Sequence, residues 1–81
     1  MDDNTEILTL LQAFQLVGAR VVLFLPSFHV EGIITQIGDT FITLRKGVEV
    51  ESNANGGTLE NPNQISVMIS SILAVSDDRG A

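Results

Sequence analysis

Cysteine is absent from this chain. That excludes disulfides, a thiolate metal site and a cysteine nucleophile. Histidine occurs once, at His29, which argues against a histidine-based zinc centre or a Ser-His-Asp triad. Basic residues are scarce: four Lys+Arg stand against ten Asp+Glu, for a net charge of -6. A general nucleic-acid coat is normally basic, so that class is disfavoured. The longest unbroken apolar run, Val21-Val22-Leu23-Phe24-Leu25-Pro26, is far short of the roughly 20 residues of a membrane span. The acidic start (Asp2, Asp3, Glu6) is opposite to the basic start of a signal peptide. These absences leave a soluble, cytoplasmic, non-enzymatic module. No catalytic residue, metal site, cofactor, membrane contact or small-molecule substrate is expected.

What is present is one small domain of 81 residues. Its charge is segregated. Asp2, Asp3 and Glu6 lie at one end, Asp77 and Asp78 at the other, and Glu49, Glu51 and Glu60 in or beside a polar central stretch. From Ile65 to Ser76 there is no charge at all. The body of the domain is near neutral, and the acidity of ends and loop reads most simply as solubility.

The periodicity predicts a helix over about 5–16, where Ile7, Leu10, Leu11 and Phe14 share one face. Asp3 with Glu6 fits a capping box, and Gly18 fits a helix end. A first strand over 19–25 is apolar on both faces and should be covered twice, with the helix on one side. A second strand over 28–37 carries Gly32 in its middle, which permits the sharp bend of a closed barrel. Gly38-Asp39 suits a two-residue hairpin. A third strand over 40–51 alternates, with Ile42, Leu44, Lys46, Val48 and Val50 on one side. Residues 52–63 read as a loop rich in Asn, Gly and Pro. Strands over 64–70 and 72–76 flank a break at Ser70-Ser71, and a tail follows at 77–81.

This order, with these residues, resembles the Sm-like family, nearest its bacterial Hfq-like branch. Leu16-Val17-Gly18-Ala19-Arg20-Val21-Val22-Leu23-Phe24-Leu25 looks like the family's first strand. His29-Val30-Glu31-Gly32-Ile33-Ile34 looks like its second, with Gly32 on the bend glycine. Ile37-Gly38-Asp39-Thr40-Phe41-Ile42-Thr43-Leu44 is similar to its Asp-x-aromatic-x-Asn-Leu signature, with Thr43 in place of Asn. Val67-Met68-Ile69-Ser70-Ser71-Ile72-Leu73-Ala74-Val75 resembles the closing strands. The likeness spans about residues 6–76. It implies a mainly β, SH3-type, strongly bent five-stranded antiparallel barrel with an N-terminal helix. The compact, divergent form suits a bacterial or phage genome.

Assembly follows from physics as well as from the resemblance. The last two strands present Ile65, Val67, Ile69, Ile72, Leu73 and Val75 without a single charge. A lone domain would expose one of them as an edge without the Lys, Pro or inward charges that normally blunt edges. Pairing of the fourth strand of one subunit with the fifth of the next removes both edges, and head-to-tail pairing closes into a ring. The six residues are therefore expected at the subunit border of a homo-oligomeric ring, and the resemblance implies a ring of roughly five to seven copies. A monomer with its edge covered by loop or tail is the alternative.

The resemblance places Asp39, Phe41 and Thr43 at the family's nucleotide pocket and Ser70 near its RNA-binding corner. Base stacking on Phe41 is worth ~1–3 kcal/mol. The plainer reading is a turn residue, a packing residue, a β-former and a tight turn. Arg45 and Lys46 are adjacent, so on a strand they point to opposite faces. One of them could line a ring pore, or both could be a solvated strand end. His29 and Glu31 share a strand face, as a weak metal pair, a pH-sensitive contact or simply surface groups. Two functions remain: a ring that binds single-stranded RNA, and an adaptor ring for protein partners that has lost RNA binding. Retained Asp39-x-Phe41 spacing favours the first. Acidic ends and the missing basic corner (Met68-Ile69-Ser70 stands roughly there) favour the second.

Overall fold

The computed structural model describes residues 3–77, with side chains from Glu6 onward. Asp2, the Asp3 side chain of the expected capping box and positions 78–81 of the expected tail fall outside the described residues. In chain order the elements are helix α1 (Asp3–Val17), β1 (Arg20–Phe24), β2 (Phe28–Ile37), β3 (Phe41–Ser52), β4 (Thr58–Glu60), β5 (Gln64–Met68), one 3-10 turn (Ile69–Ser71) and β6 (Ala74–Asp77). No helix among the described residues is long and apolar enough to cross a membrane.

α1 forms because its apolar residues recur at helical spacing. Leu11 is fully buried, and Ile7, Leu8 and Phe14 pack beside it against the core. Leu10, expected on that face, is 45 % exposed. It lies about 100° around the helix from Leu11, and Leu8 fills the inner face instead. Gly18 adopts φ +67° and ends the helix. Its N–H donates to the Gln15 carbonyl (3.1 Å) and that of Ala19 to Phe14 (3.2 Å), a Schellman ending. The helix packs on β2 and the 3-10 turn. It does not supply a second cover for β1. Val21 and Leu23 are buried on one face of β1, while Val22 is half-buried and Phe24 exposed on the other.

All strand pairs are antiparallel, and the order is β5-β3-β2-β1-β6, with β4 beside the far half of β3. β2 and β3 are long enough to serve both halves of the bent sheet. The bend occurs where Gly32 meets β3. A Cβ on Gly32 would lie 3.2 Å from Leu44 Cβ and 3.3 Å from both the Arg45 carbonyl oxygen and Val48 Cγ2. A side chain here would force Leu44, Val48 or the Arg45 carbonyl to give by a few tenths of an ångström, so glycine suits the close approach of the strands.

Two register shifts tighten the curl. Glu31 faces Glu49 and Ile33 faces Arg45, so one residue of β2 spans three of β3. The surplus is a bulge at Lys46 and Gly47, with φ of 67° and 68°. The simple alternation expected for β3 would have turned Lys46 inward; the bulge turns it out to solvent, and Ile42, Leu44, Val48 and Val50 alone fill the inner face. A second shift leaves Thr35 of β2 without a counterpart on β3. Gln15 Nε2 donates to the Thr35 carbonyl at 3.2 Å and ties α1 to that point.

The stretch expected as loop 52–63 contains a hairpin. β4 pairs Val50 with Glu60 and Glu51 with Thr58. Its turn closes through Gly56 N–H to the Ser52 carbonyl (2.8 Å) and Ser52 N–H to the Gly57 carbonyl (2.9 Å). At the other end, Asp77 of the expected tail is a strand residue opposite Val21. Among the described residues every buried side chain of the core is apolar.

Candidate nucleic-acid interface and subunit border

The connection from β2 to β3 runs through Gly38–Thr40, longer than the two-residue hairpin expected, and closes with Gly38 N–H on the Phe41 carbonyl at 2.8 Å. Asp39 is exposed at its tip, and Phe41 leaves the turn with 48 % of its surface open. Thr43 is half-buried, and its Oγ1 shares a hydrogen bond with Ser66 Oγ at 2.9 Å. Gln36, Ile37, Gly38, Phe41 and Thr43 line a shallow hollow of about 230 Å³. It offers one aromatic face, one amide and one hydroxyl. The 3-10 turn is hooked onto the same end by Ile69 N–H to the Thr40 carbonyl, 2.8 Å. Exposed Ser70 thus comes to the neighbourhood of Asp39 and Phe41.

Arg45 and Lys46 are elsewhere. They line a wider cleft of about 790 Å³, where the β3 bulge faces Asn61, Pro62 and Asn63. Of the sequence candidates, Phe41 and Thr43 therefore line the hollow and Arg45 and Lys46 the wider cleft, while Asp39 and Ser70 line neither.

The border candidates divide as well. Val67, Ile69 and Ile72 are in the subunit's own core, and Ile65 and Val75 are half-buried against it. Leu73 is 68 % exposed. Two exposed apolar residues absent from the expected set join it: Met68 at the end of β5, and Phe24 at the end of β1. β5 pairs with β3 alone and β6 with β1 alone, so among the described residues each has one unpaired side, at opposite ends of the strand order.

One cluster extends what the sequence suggested. His29 Nδ1 lies 2.9 Å from Asn53 Oδ1, and Nε2 lies 2.9 Å from Glu51 Oε1 and 3.9 Å from Glu31 Oε2. Asn53 Nδ2 donates to the Leu25 carbonyl at 2.8 Å, which fixes its oxygen toward the imidazole. Both ring nitrogens face acceptors. The Asn53 contact, with smaller help from Glu51 and Glu31, therefore raises the His29 pKa above its ordinary 6.5 against the opposing effect of burial. The Glu51 carboxyl is held below its ordinary value, chiefly by its hydrogen bond from His29. Glu51 and Asn53 stand 22 and 24 positions from His29. Only the register His29↔Glu51 brings them together.

No protein-family model and no curated protein matches the chain. Solved structures do. A Pyrococcus abyssii Sm protein, solved in complex with a uridine heptamer, superposes with TM-score 0.71 over 88 % of this chain and 96 % of its own at 16 % identity. This chain has the Sm fold. A heptameric archaeal Sm protein superposes with TM-score 0.63 over 86 % and 97 % at 19 % identity. At such identities the likeness concerns the Sm fold: a helix followed by a strongly bent antiparallel sheet, mainly β. Both solved chains are matched over nearly their whole length.

Proposed function

We propose that the chain is a ring-forming Sm-like protein that binds single-stranded RNA. The carrying observation is the half-exposed Phe41 beside the Gln36–Thr43 hollow, on a fold whose solved neighbours include a heptamer and a uridine-heptamer complex. Ring closure would join the unpaired side of β5 to that of β6 in the next copy, as a heterologous contact. A base would stack on Phe41, Thr43 Oγ1 and the Gln36 amide would meet its polar edge, and Asp39 and Ser70 would flank it. Repetition around the ring would multiply a weak contact. The reading contains no catalytic step and expects a cytoplasmic protein. The nearness to the Hfq-like branch rests on the sequence resemblance.

One observation favours a second reading, an adaptor ring for protein partners. No Lys or Arg lines the Phe41 hollow, since Arg45 and Lys46 occupy the other cleft. Phosphate contacts at the hollow would be few, and the net charge of -6 opposes them.

Titration of the purified chain with labelled oligo-A and oligo-U at low and moderate salt separates the two. RNA binding expects micromolar affinity and a loss of about 5- to 150-fold in Phe41→Ala, the equivalent of ~1–3 kcal/mol. No binding even at low salt would leave the adaptor. Light scattering reports the copy number in the same samples.

A further inference from the structure

We infer that His29, Glu31 and Glu51 form a binding site for a divalent first-row transition ion of the zinc type, with Asn53 as the support of its imidazole ligand. The nearest ligand atoms of the three side chains lie within 4.8 Å of one another. A zinc ion takes imidazole nitrogen at about 2.0–2.1 Å and carboxylate oxygen at about 2.0–2.2 Å. Binding would draw the three atoms to that range by rotation of the two carboxylates. The lone histidine spoke against an imidazole-rich centre; two carboxylates supply the remaining protein ligands. The fourth tetrahedral position is left to water.

The backing shell is already built. Ligating histidines almost always donate their second ring N–H to a carbonyl or carboxylate, which sets the tautomer and ring direction. Here Nδ1 meets Asn53 Oδ1 at 2.9 Å, and Asn53 is held in turn by the Leu25 carbonyl at 2.8 Å. The arrangement leaves Nε2 aimed at Glu51 and Glu31. Phe24 lies against the ring, with centroids 5.6 Å apart, and limits its rotation.

Charge points the same way. Glu31 stands directly opposite Glu49 across β2 and β3, and Glu51 follows two residues on. Like charges in cross-strand register are destabilising. Arg20 Nη2 approaches Glu31 at 3.6 Å and Glu49 at 3.9 Å, and the His29 ring approaches Glu31 and Glu51, so among the described residues the three carboxylates lie close to one guanidinium and one imidazole. A divalent ion in place of the imidazole proton restores the balance.

The test uses untagged full-length protein treated with chelator and titrated with Zn²⁺ by calorimetry, and with Co²⁺ by visible absorption. One ion per subunit is expected, with Co²⁺ bands of a low-coordinate site. His29→Gln should lose binding by at least about 100-fold, and Asn53→Ala by about 10- to 100-fold, both with unchanged circular dichroism. Should a variant fail to fold, the wild type decides: its single histidine gives one pair of ¹⁵N ring resonances, and Zn²⁺ should shift Nε2 while Nδ1 stays protonated. No saturable binding, no Nε2 shift, or binding unchanged in a folded His29→Gln protein would overturn the site. The outcome is independent of RNA binding and ring formation.

Discussion

Arg20 Nη2 donates to the Gly47 carbonyl oxygen at 2.8 Å, while Nη1 donates to that of Lys46 at 3.0 Å. A side chain of β1 thereby straps the two left-handed residues of the β3 bulge, across the width of β2. Charge-assisted bonds of this kind contribute about 1.5–3 kcal/mol when well enclosed, and the Arg20 side chain is 22 % exposed. Arg20→Met should therefore cost about 1–2 kcal/mol, read as a lower urea midpoint at unchanged slope. A midpoint equal to wild type would show that the bulge holds itself.

Gly32→Ala should destabilise by about 1–3 kcal/mol, as overpacking does in well-filled cores. The new methyl group would meet Leu44 Cβ and the Arg45 carbonyl at 3.2 and 3.3 Å, and the carbonyl belongs to a backbone already pinned by the bulge. Gly32→Val should cost more. Thermal unfolding of both variants checks the order, and a neutral Gly32→Ala would mean the sheet can open at its bend.

The His29–Glu51 contact predicts a pH profile for the metal-free protein. A pKa raised on folding stabilises fully below the unfolded value of 6.5 and is lost as pH rises through the folded value. A carboxyl pKa lowered on folding stabilises above its ordinary 4.5 and is lost as pH falls through the folded value. The pair is worth most between these two ordinary values. In chelator, from about pH 5.5 to about pH 8.5, wild type should lose stability relative to His29→Gln. Parallel curves for the two proteins would refute the coupling.

Leu73 and Val67 separate assembly from folding. Leu73 is 68 % exposed and Val67 only 5 %. Leu73→Lys should leave circular dichroism intact and reduce the mass seen by light scattering to that of one chain. Val67→Lys should unfold the subunit, since a buried unpaired charge is costly. An oligomer that survives Leu73→Lys would move the border away from β6.

Much of this architecture is legible in the sequence, for identifiable reasons. β1 announces itself by its run of Val, Leu and Phe, and β2 and the inner residues of β3 by a two-residue period, because both are local signals. Gly32 is readable because a glycine inside an apolar strand has few other uses. The Lys46–Gly47 bulge was hidden because its cause, the surplus of β3 over β2, lies in register rather than composition. β4 was hidden under Asn, Gly and Pro, which signal its turn but mask the pairing of Thr58 and Glu60 with β3. Of the candidate sites, Asp39 and Phe41 followed from a motif of fixed spacing. Glu51 and Asn53 could not be assigned to His29 without knowing which residue faces which across β2 and β3.

The unpaired sides of β5 and β6 differ in sequence and sit at opposite ends of the strand order. Growth of the proposed ring through them would therefore have polarity, like links with one hook and one eye. A copy blocked at its hook alone would still be captured by its eye, and would act as a chain terminator in a mixture with wild type. Sub-stoichiometric doses of such a copy would poison closure, giving a dominant-negative reagent built from one altered strand.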